Sequence, residues 1–253
     1  MDAVPTVAPH EWDARTYDSL PLPHTGWGRR TLARLDRTGL HRVLDAGCGT
    51  GRDTELLLDL IPDVRVVAVD ASRAMLDQLE VRVADRRARV EVVHASLAEP
   101  LPIAGHVDAV VSVAAFHWVR DHEALFSNLA QVLRPGGQLA VECGGEGSVA
   151  RIVAAIRDVL GESPAIWNFA GVEETARRLE DAGFKDIDVA LRPDPARLEP
   201  GTQFESFMAI VVLGAHLQRL PEAERPAFVR AVVDRLPEPV VDYVRLEIYA
   251  RRG

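Results

Sequence analysis

The feature that most constrains this chain is a glycine-rich turn at residues 43–54 (VLDAGCGTGRDT). An apolar, β-branched run enters the turn and a helix-forming run leaves it, so strand, turn and helix follow in order. Gly47, Gly49 and Gly51 punctuate it, and residues without a Cβ let a backbone approach a ligand closely. In an open α/β sheet such a turn lies at the carboxyl edge of the strands, where ligands bind. A dinucleotide fingerprint needs glycine at 47, 49 and 52, but position 52 is Arg. Asp45, two residues before the first glycine, suits a ligand with a cationic or amine end rather than a pyrophosphate. Asp70 ends the next apolar run (residues 65–69, RVVAV), 19 residues after Gly51. A carboxylate there accepts hydrogen bonds from both hydroxyls of a ribose. The pair of motifs implies a ligand with a ribose and no diphosphate.

Around these motifs, strands and helices alternate. Strands are expected at 42–45, 65–69, 90–93, 107–113 and 138–143, and helices at 53–60, 74–84 and 125–133. Pro62 stops the first of these helices and Pro135-Gly136-Gly137 the last. The alternation specifies a parallel sheet with helices on both faces. Residues 1–27 are rich in Pro, His and aromatics and read as an irregular arm, followed by a helical pattern at 29–37. Beyond residue 147, helices are expected at 150–160, 172–182 and 227–236, with one long helix at 202–220. Residues 185–191 and 242–251 alternate as strands. The expected organisation is an arm or cap (1–37), an α/β domain (38–192), a helical insertion acting as a lid (193–239) and a last strand (240–253).

Composition removes several function classes. The 253 residues carry 29 basic and 38 acidic side chains, a net charge of −9. An acidic chain without a basic run is a poor nucleic-acid binder. Lys185 is the only lysine, and its surroundings (GFKDID) match neither a phosphate loop nor a Schiff-base site. Cys48 and Cys143 have no metal-ligand spacing, so no metal is expected. The longest apolar runs, 109–116 and 208–213, are far short of the ~20 residues that span a bilayer. With no signal-peptide pattern at residues 1–15, a cytoplasmic protein without a membrane partner is expected. Its oligomeric state is not legible.

The motifs resemble those of the class I S-adenosylmethionine (SAM) dependent methyltransferases. VLDAGCGTG, VVAVDAS, the run at 107–113 followed by AAFHWV, and LRPGG fall in that family's order over residues 40–145. The resemblance implies a Rossmann-like, seven-stranded, mostly parallel sheet whose last strand is antiparallel, with SAM as cofactor. A narrower resemblance, to the trans-aconitate methyltransferase-like group of small-molecule methyltransferases, rests on FHWVRDHEALFSNLAQVLRPGGQLAV and the helical insertion. Carried over by position, Gly47 and Gly49 would line the methionine part of SAM, and Asp45 would orient its amino group. Asp70 would hold the ribose, and Ala71 and Met75 would flank the adenine. Ser96, where the family commonly has Asp, and the N–H of Leu97 would meet the adenine edge. Ala114 and His117 would sit nearest the methyl group. Tyr17, Trp167 and Phe169 are candidates for the acceptor pocket.

The resemblance points to a small organic acid or natural-product intermediate methylated on a carboxylate oxygen. Arg15, Arg29, Arg30, Arg192 and Arg197 are candidates to attract it. The alternative is methylation of carbon, nitrogen or a phenol oxygen in secondary metabolism, with His117 as base. A nicotinamide-dependent oxidoreductase on a similar fold is a further reading, which the missing glycine at 52 disfavours. A non-catalytic SAM-binding protein carries the same motifs. Plainer roles compete at single positions: Met75 as core packing, Trp167 and Phe169 as buried aromatics, Cys48 as a backbone contributor to the turn.

Overall fold

The computed structural model describes residues 14–19, 24–162 and 165–253, apart from the side chains of residues 15, 17, 19, 24 and 25. Two short helices open the described chain, α1 (Ala14–Ser19) and α2 (His24–Ala33). The alternating part follows as β1 (Arg42–Ala46), α3 (Arg52–Leu60), β2 (Arg65–Asp70), α4 (Arg73–Arg82), β3 (Val90–His94), β4 (Val107–Val113), α5 (His122–Val132) and β5 (Leu133–Gly144). The remainder is α6 (Ala150–Leu160), α7 (Val172–Asp181), β6 (Phe184–Pro193), β7 (Ala196–Arg197), α8 (Thr202–Phe207), α9 (Gly214–Leu217), α10 (Arg225–Val233), β8 (Val240–Val241) and β9 (Val244–Arg252).

Seven strands form one sheet in the order β3-β2-β1-β4-β5-β9-β6. Strand β9 runs antiparallel between β5 and β6, and the other adjacent strands pair parallel. The seven-stranded, mostly parallel fold with an antiparallel last strand is the one expected. Successive residues of the inner strands feed opposite cores. Val66 and Ala68 join the cluster that holds Leu57, Leu79 and Ile152, while Val67 and Val69 join the one that holds Phe126, Leu129 and Leu179. Burying each such valine stabilises the fold by roughly 1.5–3 kcal/mol, which explains why RVVAV is continuously apolar. Strand order reverses between β1 and β4, so the turn after β1 and the turn after β4 face one crevice.

The expected single helix over 202–220 is interrupted. Between α8 and α9, residues Met208–Val212 form one wide turn, in which the Leu213 N–H donates to the Met208 carbonyl at 2.7 Å. Gly214, a poor helix former, begins the next turn. The extra residue in the turn rotates the helical face, and Val211 and Val212 are both buried. Phe204, Phe207, Met208 and Val211 form the apolar stripe their spacing suggested, and they pack into the same core as Ile152 and Ile156. The pairing of β7 with β8 brackets this helical segment. Among the described residues, no helix is long and apolar enough to cross a membrane.

Candidate active site

The turn after β1 is tied to the end of β2, because the N–H groups of Gly47 and Cys48 both donate to the Val69 carbonyl (2.8 and 3.0 Å). Gly47, Gly49 and Gly51 all have positive φ (78°, 50° and 83°), but they answer to different constraints. A Cβ on Gly47 would lie 2.3 Å from that of Ala115, and one on Gly51 would lie 2.7 Å from Leu79 Cγ. A Cβ on Gly49 would meet nothing within 4 Å. Two glycines therefore let the turn pack, and the third opens onto a cavity of about 1650 Å³.

Gly47, Gly49, Asp70, Ala71, Met75, Ser96, Leu97, Ala114, His117, Trp167 and Phe169 all line this cavity. Asp70 accepts one backbone N–H on each oxygen, from Gly49 (2.9 Å) and Ser72 (2.8 Å). Met75 is buried, with its N–H capped by the Ser72 hydroxyl at the start of α4. The Ser96 hydroxyl accepts from the Ala98 N–H (3.2 Å), a local turn rather than a free acceptor. Ala114 holds φ 57° while its N–H donates to the Glu142 carbonyl (2.8 Å). A non-glycine residue in this region is uncommon and tends to mark functional sites.

Asp45 departs from its expected place, since it does not line the cavity. It is 1% exposed and accepts from the Thr54 hydroxyl at 2.5 Å. Asp53, passed over in the sequence, lines the cavity instead, with its carboxylate against Gly28 of α2. Burial, reinforced for Asp45 by the charge of Asp70 and for Asp53 by that of Asp45, raises the pKa of both. Cys48 is buried, and burial pushes its thiol further up, so it is not a poised nucleophile.

At the other end of the cavity, aromatic rings gather. Phe169 stacks between His117 (5.8 Å) and Trp167 (5.5 Å), and Trp118 lies 5.3 Å from His117. The N–H of Gly144 donates to His117 Nδ1 (3.2 Å), so the neutral ring carries its proton on Nε2. His216, buried behind Trp167 at 5.1 Å, has no hydrogen bond at either ring nitrogen, and burial lowers its pKa to about 4. The Tyr17 side chain, the Arg15 side chain and Trp12 lie outside the described residues.

The arginines named from the sequence divide. Arg29 lines the cavity. Arg30 and Arg192 pair with Glu142 and Asp194, and Arg197 pairs with Glu238 at the surface. Besides Asp53, two further charged residues had gone unnoticed. Arg245 of β9 lines the cavity at 1% exposure, its guanidinium 3.7 Å above the Trp27 ring. Asp18 of α1 accepts from the Thr50 hydroxyl (3.0 Å), Arg52 Nε (3.0 Å) and both of its oxygens meet Arg82 (2.7 and 2.6 Å).

A parallel α/β sheet with a glycine turn, an acid at the end of the second strand and a cavity over the switch point defines a nucleoside-cofactor enzyme. Residues 43–137 match the family model described as a methyltransferase domain. A trans-aconitate 2-methyltransferase from Azoarcus sp. (strain BH72) is 31% identical over 233 residues, which cover 87% of each chain. One from Paracidovorax citrulli is 29% identical over 88% of this chain and 87% of its own. One from Acidovorax sp. (strain JS42) is 34% identical, but over 53% of this chain and half its own length. The chain belongs to the SAM-dependent methyltransferases, and SAM is its cofactor.

Two solved structures share the fold. Phosphoethanolamine N-methyltransferase 2 of Haemonchus contortus, in complex with SAM, has a TM-score of 0.59 at 20% identity, covering 89% of this chain and 52% of its own. Geranyl diphosphate C-methyltransferase of Streptomyces coelicolor A3(2) has a TM-score of 0.57 at 19% identity, covering 90% and 79%. The cavity suits the cofactor on this structure's own terms. A Cβ on Gly49 would meet no protein atom there, the Asp70 carboxylate lines the wall beside it, and the acids Asp45 and Asp53 flank the turn.

Proposed function

We propose that the protein methylates a carboxylate oxygen of a small organic acid. SAM supplies an electrophilic methyl group on a sulfonium, and the chain's residues bind, orient and exclude water. In this reading Asp70 holds the ribose, the backbone at Gly47 and Gly49 holds the methionine part, and the acids Asp45 and Asp53 offset its ammonium. Ala71, Met75 and Leu97 wall the adenine, with Ser96 and the Leu97 N–H at its edge. Ala114 lies where the methyl would be presented. The helical segment at 193–239, with α1 and α2, covers the acceptor end as a lid, and Trp167 and Phe169 are walls of that end. The curated relatives bear names that point to an organic-acid acceptor.

The observation that carries the reading is the state of His117. Its Nδ1 is engaged by the Gly144 N–H, so the neutral ring offers an Nε2–H donor and no free lone pair. His117 then offers no acceptor for the proton of a phenol, an amine or a carbon acid. A carboxylate is already ionised above pH ~4–5 and needs only to be held. With trans-aconitate as the first acceptor tried, turnover should vary little from pH 6 to 9. Exchange of His117→Asn should lower kcat by no more than about tenfold. A rate that falls steeply below pH ~6.5 and collapses in that variant replaces this reading with base-assisted methylation of carbon, nitrogen or phenol oxygen.

A further inference from the structure

We propose that Arg245, stacked on Trp27, is the anchor for a second anionic group of the acceptor, the one that is not methylated. This rests on the carboxylate reading above and assigns a residue to it.

Arg245 is the cross-strand partner of Gly144 in the β5–β9 pair. Directly opposed residues of an antiparallel pair project to the same face. The face at Gly144 is the one that carries the chemistry: a Cβ there would lie 2.6 Å from the Phe169 ring and 3.4 Å from His117. Arg245 therefore projects on the side of His117 and Phe169, at the same edge of the sheet.

Its surroundings leave donors to spare. Nη2 donates to the Glu142 carbonyl (3.0 Å). Nε is buried and has no hydrogen-bond partner, being 3.5 Å from Glu142 Oε1. Nη1 has no hydrogen bond among the described residues. The Glu142 carboxylate is held by the other two cations around it, Arg30 at 2.9 Å and Arg192 at 3.2 Å. One face of the guanidinium is covered by Trp27, which Tyr243 meets edge-on at 5.2 Å. A buried guanidinium with unmade hydrogen bonds is costly to keep. Its planar fork matches a carboxylate, and stacking on Trp27 fixes the plane in which that fork lies.

The test has an arm that needs no turnover. The protein loaded with S-adenosylhomocysteine is titrated by calorimetry with tricarballylate, a saturated tricarboxylate. Wild type should bind it. Arg245→Lys, which keeps the charge opposite Glu142 and loses the fork, should bind it at least about 30-fold more weakly. The matched pair Arg245→Met/Glu142→Gln, which removes both buried charges together, should do the same if the lysine variant fails to fold. S-adenosylhomocysteine affinity should stay within about threefold of wild type, since no cofactor contact is removed. With an unsaturated tricarboxylate that turns over, the loss should fall on KM and spare kcat. Equal tricarballylate binding by wild type and a folded variant, or no binding by wild type, overturns the assignment. Wild type that binds tricarballylate normally but methylates no acid keeps the anion site and overturns the carboxylate-methylation reading instead.

Discussion

The two ends of the cavity are made of different material. The cofactor end is built from backbone at neighbouring strand ends: the turn at 47–51, the Ser72 N–H, and Ala71 and Leu97 beside them. One side chain there, Asp70, is the one we propose to hold the ribose through hydrogen bonds. The acceptor end is built from side chains brought together from distant points, with Trp27 on α2, His117 after β4, Phe169 before α7 and Arg245 on β9. A site made from backbone demands particular residues at fixed spacing, because only glycine permits its φ angles and close approaches. A site made from side chains accepts many solutions, and its members carry no shared spacing.

The largest effect should come from separating the two jobs glycine performs in the turn. Gly47→Val forces a branched side chain onto Ala115 at a positive φ, and should cost roughly 3 kcal/mol of stability as well as abolish SAM binding. Gly49→Ala meets no protein atom and should cost only about 1 kcal/mol while still impairing SAM binding. Urea denaturation beside calorimetry reads both. Equal stability losses in the two variants would mean that Gly49 also serves packing, and the division drawn here would fail.

Asp70→Asn comes next. It keeps the shape and one acceptor oxygen but loses charge-assisted bonds worth about 1.5–3 kcal/mol each, so the Kd for SAM should rise by about 10- to 100-fold. An unchanged Kd in a folded variant removes the ribose assignment.

The same contrast explains what was legible in the sequence. The alternation of strands and helices follows from periodicity and glycine punctuation, which local sterics impose on residues close in sequence, whereas the antiparallel last strand was implied by the family resemblance. The wide turn at Met208–Val212 was not legible, because an apolar stripe reads as uniform helix whether or not one residue is inserted. Asp45 and Asp53 both lie in the motif, yet tertiary packing decides that Asp45 is buried against Thr54 and Asp53 lines the cavity beside Gly28 of α2. Arg245 escaped because it occupies the polar phase of an alternating strand (YVRLEIYAR). That phase reads as solvent-facing, and here α2 covers it with Trp27. Asp18 escaped because its partners, Arg52 and Arg82, are remote in sequence.

A pH series probes the acids at the cofactor end. Asp45 and Asp53 have folded pKa values raised chiefly by burial. Above about pH 4 the unfolded chain has released these protons while the folded chain still holds them. The unfolded state then binds fewer protons, so these two groups lower stability as pH rises through their folded values. A cationic cofactor favours their ionised forms and relieves that penalty. The increase in Tm caused by SAM should therefore grow from pH 5.5 to 8. A SAM-induced shift that is constant or shrinks over that range would remove these acids from cofactor recognition.

The smallest effect, and the one that links the two ends, concerns Asp18. It joins α1 to the glycine turn through Thr50 and Arg52, and to α4 through Arg82. Burial favours its protonated form, but the bonds from Arg52 and Thr50 and the charges of Arg82 and Arg52 outweigh it and hold the pKa below its usual value. Its contribution is thus present above the unfolded carboxylate value near pH 4 and lost as pH falls through the lower folded one. Arg82 keeps bonds to the Thr50 carbonyl (2.9 Å) and Glu55 (3.1 Å) without it, so Asp18→Ala should cost only about 1–2 kcal/mol. The informative readout is local. Amide exchange should quicken at residues 14–19 in the variant, while β1 and β4 keep wild-type protection. In wild type, S-adenosylhomocysteine should slow exchange in α1 if the arm closes over the cofactor end. In Asp18→Ala that slowing should largely vanish, although the cavity still binds the ligand. Equal slowing in both proteins would show that α1 is held by apolar contacts alone, and Asp18 would then be no latch.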